Sequence, residues 1–136
     1  MKKVVLDTNL YIDWINRGLR EDTMVGSGLT RYLSAVVVME LRAGARTRSG
    51  RAAIDHLVRA YSLANRLITP ATGIFERAGS LLRRLNLAGR EVRSAPFVND
   101  LLIALTARAL GATVLTADHA DFEAIRRIEP FALERA

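Results

Sequence analysis

Hydrophobic positions along this chain fall into two kinds of pattern. Short apolar runs closed by polar residues sit at 3–6, 30–34 and 112–116, and each reads as a buried strand. The first, ending in Leu6, is cut off by Asp7-Thr8-Asn9, so a helix over 10–16 should follow, capped at Thr8 or Asn9 and stopped by Gly18. Amphipathic stripes make up the second kind. Ile54, Leu57, Val58 and Tyr61 recur at i, i+3, i+4 and i+7, and Ile74, Ala78, Leu81, Leu82 and Leu85 form a second stripe at helical spacing. Between these two helices Leu67-Ile68 reads as a short strand ended by Thr69-Pro70.

The remaining stretches are less regular. Residues 18–28, with glycines at 18, 26 and 28, read as a loop or a short, poorly anchored helix. The run 36–45 is strand-like in composition, yet its Glu-Leu-Arg-Ala-Gly ending favours a helix closing near Gly44. Asn99-Asp100 opens 101–110, apolar nearly all round, which predicts a buried helix ending at Gly111. A short helix over 121–126 and an edge strand over 128–133 complete the series. Strands alternating with helices imply an α/β domain with a mainly parallel sheet covered on both faces, a single unit over 1–136.

Composition narrows the class. The 136 residues are 50% hydrophobic with mean hydropathy +0.13, as expected of one ordinary folded domain. No apolar stretch approaches the ~20 residues that span a bilayer, and the N-terminal run is too short for a signal peptide, so a cytoplasmic protein is expected. Without cysteine, disulfides, thiolate zinc sites and cysteine nucleophiles are excluded. The two histidines, His56 and His119, make a histidine-rich metal site improbable. Formal charge is +6, and Lys2 and Lys3 are the only lysines among 20 basic residues, which leaves 18 arginines. A guanidinium fork suits phosphate, so nucleic acid is a natural partner. A genome rich in G and C would also write Arg for Lys, and charge alone does not decide between the two.

Position decides more than charge. In an open parallel sheet, ligands bind outside the carboxyl ends of the strands, where strand order reverses. Asp7 follows the first strand directly, Asp118 follows the 112–116 strand by two residues, Glu40 lies about a turn into the helix after the second strand, and Asp100 begins the buried helix. Each has a plainer reading. Asp7 and Asp100 would serve as helix caps, and Asp118 with Asp121 imitates a capping box. Glu40 interrupts Ala35-Val36-Val37-Val38-Met39 and Leu41, where capping does not apply; a buried carboxylate there needs an Arg or a metal, and Arg42 is too close in sequence to face it, which favours the metal.

The segments VLDTN at 5–9, SAVVVMELRAG at 34–44 and NDLLIALTARALGATVLTADHADF at 99–122, in this order and spacing, resemble PIN-domain ribonucleases, and more narrowly the VapC-type toxins of toxin–antitoxin pairs. The resemblance covers essentially the whole chain. It implies a three-layer α/β sandwich with a central mainly parallel sheet, and an acidic pocket that binds Mg²⁺ or Mn²⁺ and cuts RNA. Its acids fall on Asp7, Glu40, Asp100 and Asp118, as catalytic residues and metal ligands, with Asp121 close by. Thr8, Asn9, Ser34 and Thr116 match polar positions lining the pocket. The chain departs from the pattern in its glycine-rich 18–28 segment and in Asn99, where a small apolar residue is more usual. The resemblance also implies a VapB-type antitoxin seated near the first helix, where Tyr11 and Trp14 look exposed, and a homodimer assembling with it into a heterotetramer or larger complex.

Two basic runs are candidates for RNA phosphates: Arg42, Arg46, Arg48 and Arg51 beside Glu40, and Arg83, Arg84, Arg90 and Arg93 before Asp100. Two rival functions stand beside the metal-dependent endoribonuclease. One is a non-catalytic RNA-binding module of the same fold, which loss of acids would favour, yet all four are present. The other is a response-regulator-like receiver, which needs paired acids after its first strand and a late lysine; this chain has a lone Asp7 and no lysine after Lys3.

Overall fold

The computed structural model describes residues 1–90 and 94–136. Its sheet has five strands: β1 (Lys2–Leu6), β2 (Leu29–Ser34), β3 (Leu67–Ile68), β4 (Thr113–Thr116) and β5 (Leu133–Arg135), all parallel in the order β3-β2-β1-β4-β5. Seven helices accompany them among the described residues: α1 (Thr8–Arg17), α2 (Glu21–Val25), α3 (Ala35–Gly44), α4 (Arg48–Leu63), α5 (Thr72–Leu87), α6 (Ala95–Leu110) and α7 (Ala120–Ile128).

The central strand explains the layering. Val4, Val5 and Leu6 are consecutive and fully buried, although alternate side chains of a strand point to opposite faces, so both faces of β1 are covered. Helix α1 packs on α3 and α4, while α6 packs on α5, α7 and the two central strands, and also meets α3. The result is the expected α/β sandwich with helices flanking a parallel sheet. Each core side chain of this kind, such as Leu10, Leu33 or Ile103, contributes roughly 1.5–3 kcal/mol through burial. No helix among the described residues is long and apolar enough to cross a membrane.

Several boundaries differ from the sequence expectation, each for a local reason. Helix α1 starts at Thr8 because Asp7 itself is the N-cap, accepting from the Thr8 N–H. Helix α6 starts at Ala95, not at Asp100. Ser94 caps it by accepting from the Phe97 N–H, and Pro96 occupies the first turn, where its missing N–H costs nothing. Asp100 is therefore a sixth helical residue, not a cap. The 18–28 segment holds the short helix α2, and Gly26 closes it because a Cβ there would lie 2.3 Å from the Asp22 carbonyl oxygen. Helix α7 runs on through Ile128, so the final strand occupies Leu133–Arg135 and not 128–133. Tyr11, expected at the surface, is completely buried and shares a hydrogen bond with the Tyr61 hydroxyl.

Strand order gives the molecule its site. The chain steps from β1 outward to β2 and β3, then returns to β4 on the other side of β1. The reversal lies between β1 and β4, and the ends of those two strands mark where such a sheet opens to a ligand.

Candidate functional site

Asp7 and Thr116 end the two strands on either side of that reversal. The Asp7 N–H continues the ladder to the Leu115 carbonyl at 2.9 Å, and its side chain is then fixed at both oxygens. Oδ1 accepts from the Thr8 N–H at 2.8 Å, and Oδ2 accepts from the Thr116 hydroxyl at 2.8 Å. Thr116 is wholly buried and its hydroxyl also accepts from the Asp118 N–H, which binds the turn carrying Asp118 to the same centre. The capping interpretation of Asp7 is thus correct for one oxygen and incomplete for the other, which joins two strands.

Glu40 approaches from α3. Its Oε1 accepts from the Thr8 hydroxyl at 2.6 Å, and the residue is only half-buried, so the carboxylate expected to be buried and to need an Arg or a metal has a hydroxyl partner and partial access to water. Met39 is the exposed member of that run. Asp100 comes from the second turn of α6, whose apolar flanks Leu101 to Leu105 are buried. Asp118 is exposed after β4, and Asp121 lies in the first turn of α7, half-buried. His119, not Asp118, occupies the α7 cap position, and no side chain caps that helix; Asp118 reaches only the Ala120 N–H, at 3.4 Å.

These acids act on one another's titration. Burial pushes the Asp7 carboxyl above the ordinary range; the hydrogen bonds from Thr116 and Thr8 pull it back in part, and the charges of Glu40 and Asp118 push it up again. Asp100 is raised to about 9, first by burial and then by Asp7, Asp121, Glu40 and Asp118 in turn. One carboxyl responding to four others places all five in one field. Among the described residues no three His, Cys, Asp or Glu side chains stand close enough together to hold a metal ion as they are arranged.

The polar positions divide. Thr8 and Thr116 hold pocket carboxylates directly. Ser34, fully buried, accepts from the Val36 N–H and caps α3. Asn9 leaves its buried Oδ1 without a hydrogen-bond partner. Of the arginines, Arg42 pairs with Asp55 at 2.8 Å, Arg48 is the exposed first residue of α4, and Arg46 lines a cleft that also contains Glu40. Arg93 lies outside the described residues. Sequence reasoning missed the contact of Arg90 with Asp121 at 3.0 Å, because residues 31 positions apart leave no local signal.

An oxygen-only donor set suits a hard divalent cation. Mg²⁺ takes one or two carboxylates directly and keeps several waters, so it does not require a preformed cage. The raised Asp100 carboxyl fits such an ion, because a cation beside it would favour its ionised, coordinating form.

No curated protein matches the chain. Solved structures do. VapBC2 from Rickettsia felis, bound to a promoter DNA fragment, aligns at TM-score 0.71 and 25% identity over 98% of both chains. DNA-bound VapBC from Salmonella typhimurium aligns at 0.69 and 24% identity over 99% of this chain and 98% of that one. VapBC-5 from Mycobacterium tuberculosis, a member of the VapBC family of toxin–antitoxin systems, aligns at 0.58 and 27% identity over 99% and 98%. The model of the PIN domain matches residues 4–128, a span that carries all five pocket acids, and the chain belongs to the PIN-domain family.

Proposed function

We propose that this protein is a metal-dependent endoribonuclease of the VapC type, the toxin of a toxin–antitoxin pair, hydrolysing tRNA or another structured cellular RNA in the cytoplasm to 5′-phosphate and 3′-hydroxyl ends. The observation that carries this reading is Asp7, fixed at both oxygens at the strand reversal and within the field of Glu40, Asp118 and Asp100.

Asp7, Asp100 and Glu40 would hold Mg²⁺ or Mn²⁺, directly or through water, with Asp118 at the mouth. A cation held there would supply charge neutralisation at the scissile phosphate and would make water a stronger nucleophile near neutral pH. The chain's own residues supply the orientation. Thr116 and the Thr8 N–H keep the Asp7 carboxylate from rotating, and the Thr8 hydroxyl sets Glu40. Asp118, tied to Thr116 through its N–H, would serve as an outer ligand or orient the attacking water. Asp121 completes the anionic wall. Arg42, Arg46 and Arg48 are surface cations for RNA phosphates, and Arg93 is proposed with them on sequence alone.

The partner reading draws on the VapBC complexes that the fold resembles. A cleft of about 330 Å³ between α1, α3 and α4 is lined by Ile12, Ile15, Leu41 and Ile54, with Glu40 and Arg46 also on its wall. A second, of about 280 Å³, shares Ile15 and is lined by Trp14 and Leu57. This apolar groove next to the acidic pocket suits an antitoxin segment, in an assembly of two toxins and two or more antitoxins.

The test is expression with and without the product of the adjoining gene, followed by mapping of RNA ends in Mg²⁺ and in EDTA. Growth arrest, cleavage in Mg²⁺ alone, and loss of both in folded Asp7→Asn are expected. Cation-independent cleavage, or cleavage retained by Asp7→Asn, overturns the assignment.

A further inference from the structure

Arg90 follows α5 and brings a guanidinium to the rim of the acidic pocket. Two contacts hold it there. Its NH2 donates to Asp121 Oδ1 at 3.0 Å, and its Cζ lies over the Phe97 ring, 5.0 Å from the centroid. Phe97 is 2% exposed and sits on α6 one turn before Asp100, so the ring is a rigid platform on the helix that carries the pocket acid. Of the ion pairs among the described residues, this is the one that engages a pocket carboxylate; the others lie elsewhere.

The energetics favour an exchangeable contact. The Arg90 side chain is 39% exposed and that of Asp121 37%, and a pair this open contributes only ~0–1 kcal/mol. Asp121 is also stabilised in the first turn of α7 by the helix dipole, so it does not depend on Arg90. A phosphate offers the guanidinium a bidentate, charge-assisted partner stronger than one monodentate carboxylate contact. The Phe97 face fixes the plane of the fork in advance, which lowers the ordering cost of engaging it.

We propose that Arg90 is the phosphate anchor of the cleavage pocket: it is held in register by Asp121 and Phe97 and, when RNA arrives, takes a backbone phosphate next to the acids. The proposal rests on the ribonuclease reading above and adds to it the residue that aligns the strand. Asp121 then has a second duty, as the placeholder that keeps the fork aimed inward while no RNA is bound.

The competing role is a purely structural one, in which Arg90 merely steadies Asp121. The two part company at Asp121→Asn. Binding of a single-stranded RNA oligonucleotide to the full chain is followed by fluorescence anisotropy in EDTA, from about 50 to about 300 mM KCl, with thermal melts confirming that each variant folds. Arg90→Ala is expected to bind about tenfold more weakly and to lose about 0.7 from the slope of log affinity against log salt, the contribution of one phosphate on a single strand. Arg90→Lys should recover the slope and only part of the affinity, since an ammonium lacks the planar fork. Asp121→Asn, which releases the guanidinium, should bind at least as tightly as the parent. An unchanged slope in Arg90→Ala, or an Asp121→Asn variant weakened as much as Arg90→Ala, overturns this proposal alone. A parent chain that neither binds nor cleaves RNA overturns the ribonuclease reading and this proposal with it.

Discussion

Asp100 carries most of the electrostatic strain in the pocket. Its folded pKa stands at about 9 against an ordinary 3.8, so between those values the folded protein holds a proton that the unfolded chain releases. Stability from this group therefore falls as pH rises from about 4 to about 9, the reverse of a salt-bridged carboxylate. Asp100→Asn removes the penalty. In EDTA its melting temperature should exceed that of the parent by several degrees near pH 8 and by much less near pH 5, while the rise that Mg²⁺ gives the parent disappears. Parallel melting curves across that pH range would contradict the shared field. The sequence made Asp7, Asp100 and Asp118 visible because each lies at or just past a recognisable strand or helix boundary. It misjudged their surroundings. Asp100 looked like a cap because Asn99-Asp100 directly precedes the apolar run 101–110, while the true start at Ser94 and Pro96 lies one and a half turns earlier. Glu40 looked orphaned because its partner, Thr8, is 32 residues away. Tyr11 looked exposed because one aromatic on a short helix carries no face information until α4 supplies Tyr61.

At the scale of elements, the α5, α6 and α7 layer is also bridged by a buried acid that no motif announces. Glu129, 5% exposed at the end of α7, accepts from Arg77 of α5 at 2.5 Å and pairs with Arg108 of α6 at 3.0 Å. The Arg77 hydrogen bond, with the Arg108 charge behind it, holds the Glu129 carboxyl below its usual range against the opposing effect of burial. A depressed folded pKa means that the stabilisation is complete above the unfolded value near 4.5 and is lost as pH falls through the folded one. Glu129→Gln should therefore lower stability at neutral pH by about 1–3 kcal/mol in urea titrations, with the difference shrinking toward about pH 3. A constant difference across that range would mean that packing, not charge, is what the residue contributes. The helices it joins were legible from their stripes at 54–61 and 74–85. The clamp was not, since its three members are scattered over positions 77, 108 and 129, and neither was the end of α7, where the residue at 128 could continue a helix or open a strand.

For the whole molecule, alternation of strands and helices was enough to read a parallel sheet, and the sheet's strand reversal explains why acids from four separate segments meet. The charge excess of +6 acquires meaning only against that arrangement. Asp7 and Asp118 follow the ends of the two strands at the reversal, and Asp100 feels both, while several arginines pair with acids elsewhere: Arg20 with Asp13, Arg77 and Arg108 with Glu129. If RNA is the substrate, as proposed, the anionic pocket repels it and the basic remainder of the surface has to supply the long-range attraction, which salt screens. Steady-state cleavage of a short RNA should then lose kcat/KM steeply with added KCl, by about 0.7 in log–log slope for each phosphate engaged, while kcat at saturation changes little. If kcat/KM stays flat, the 18 arginines reflect how the genome spells its cations and not what the protein binds; if kcat falls as well, the salt is acting on the acids that hold the cation and not on the approach of the RNA.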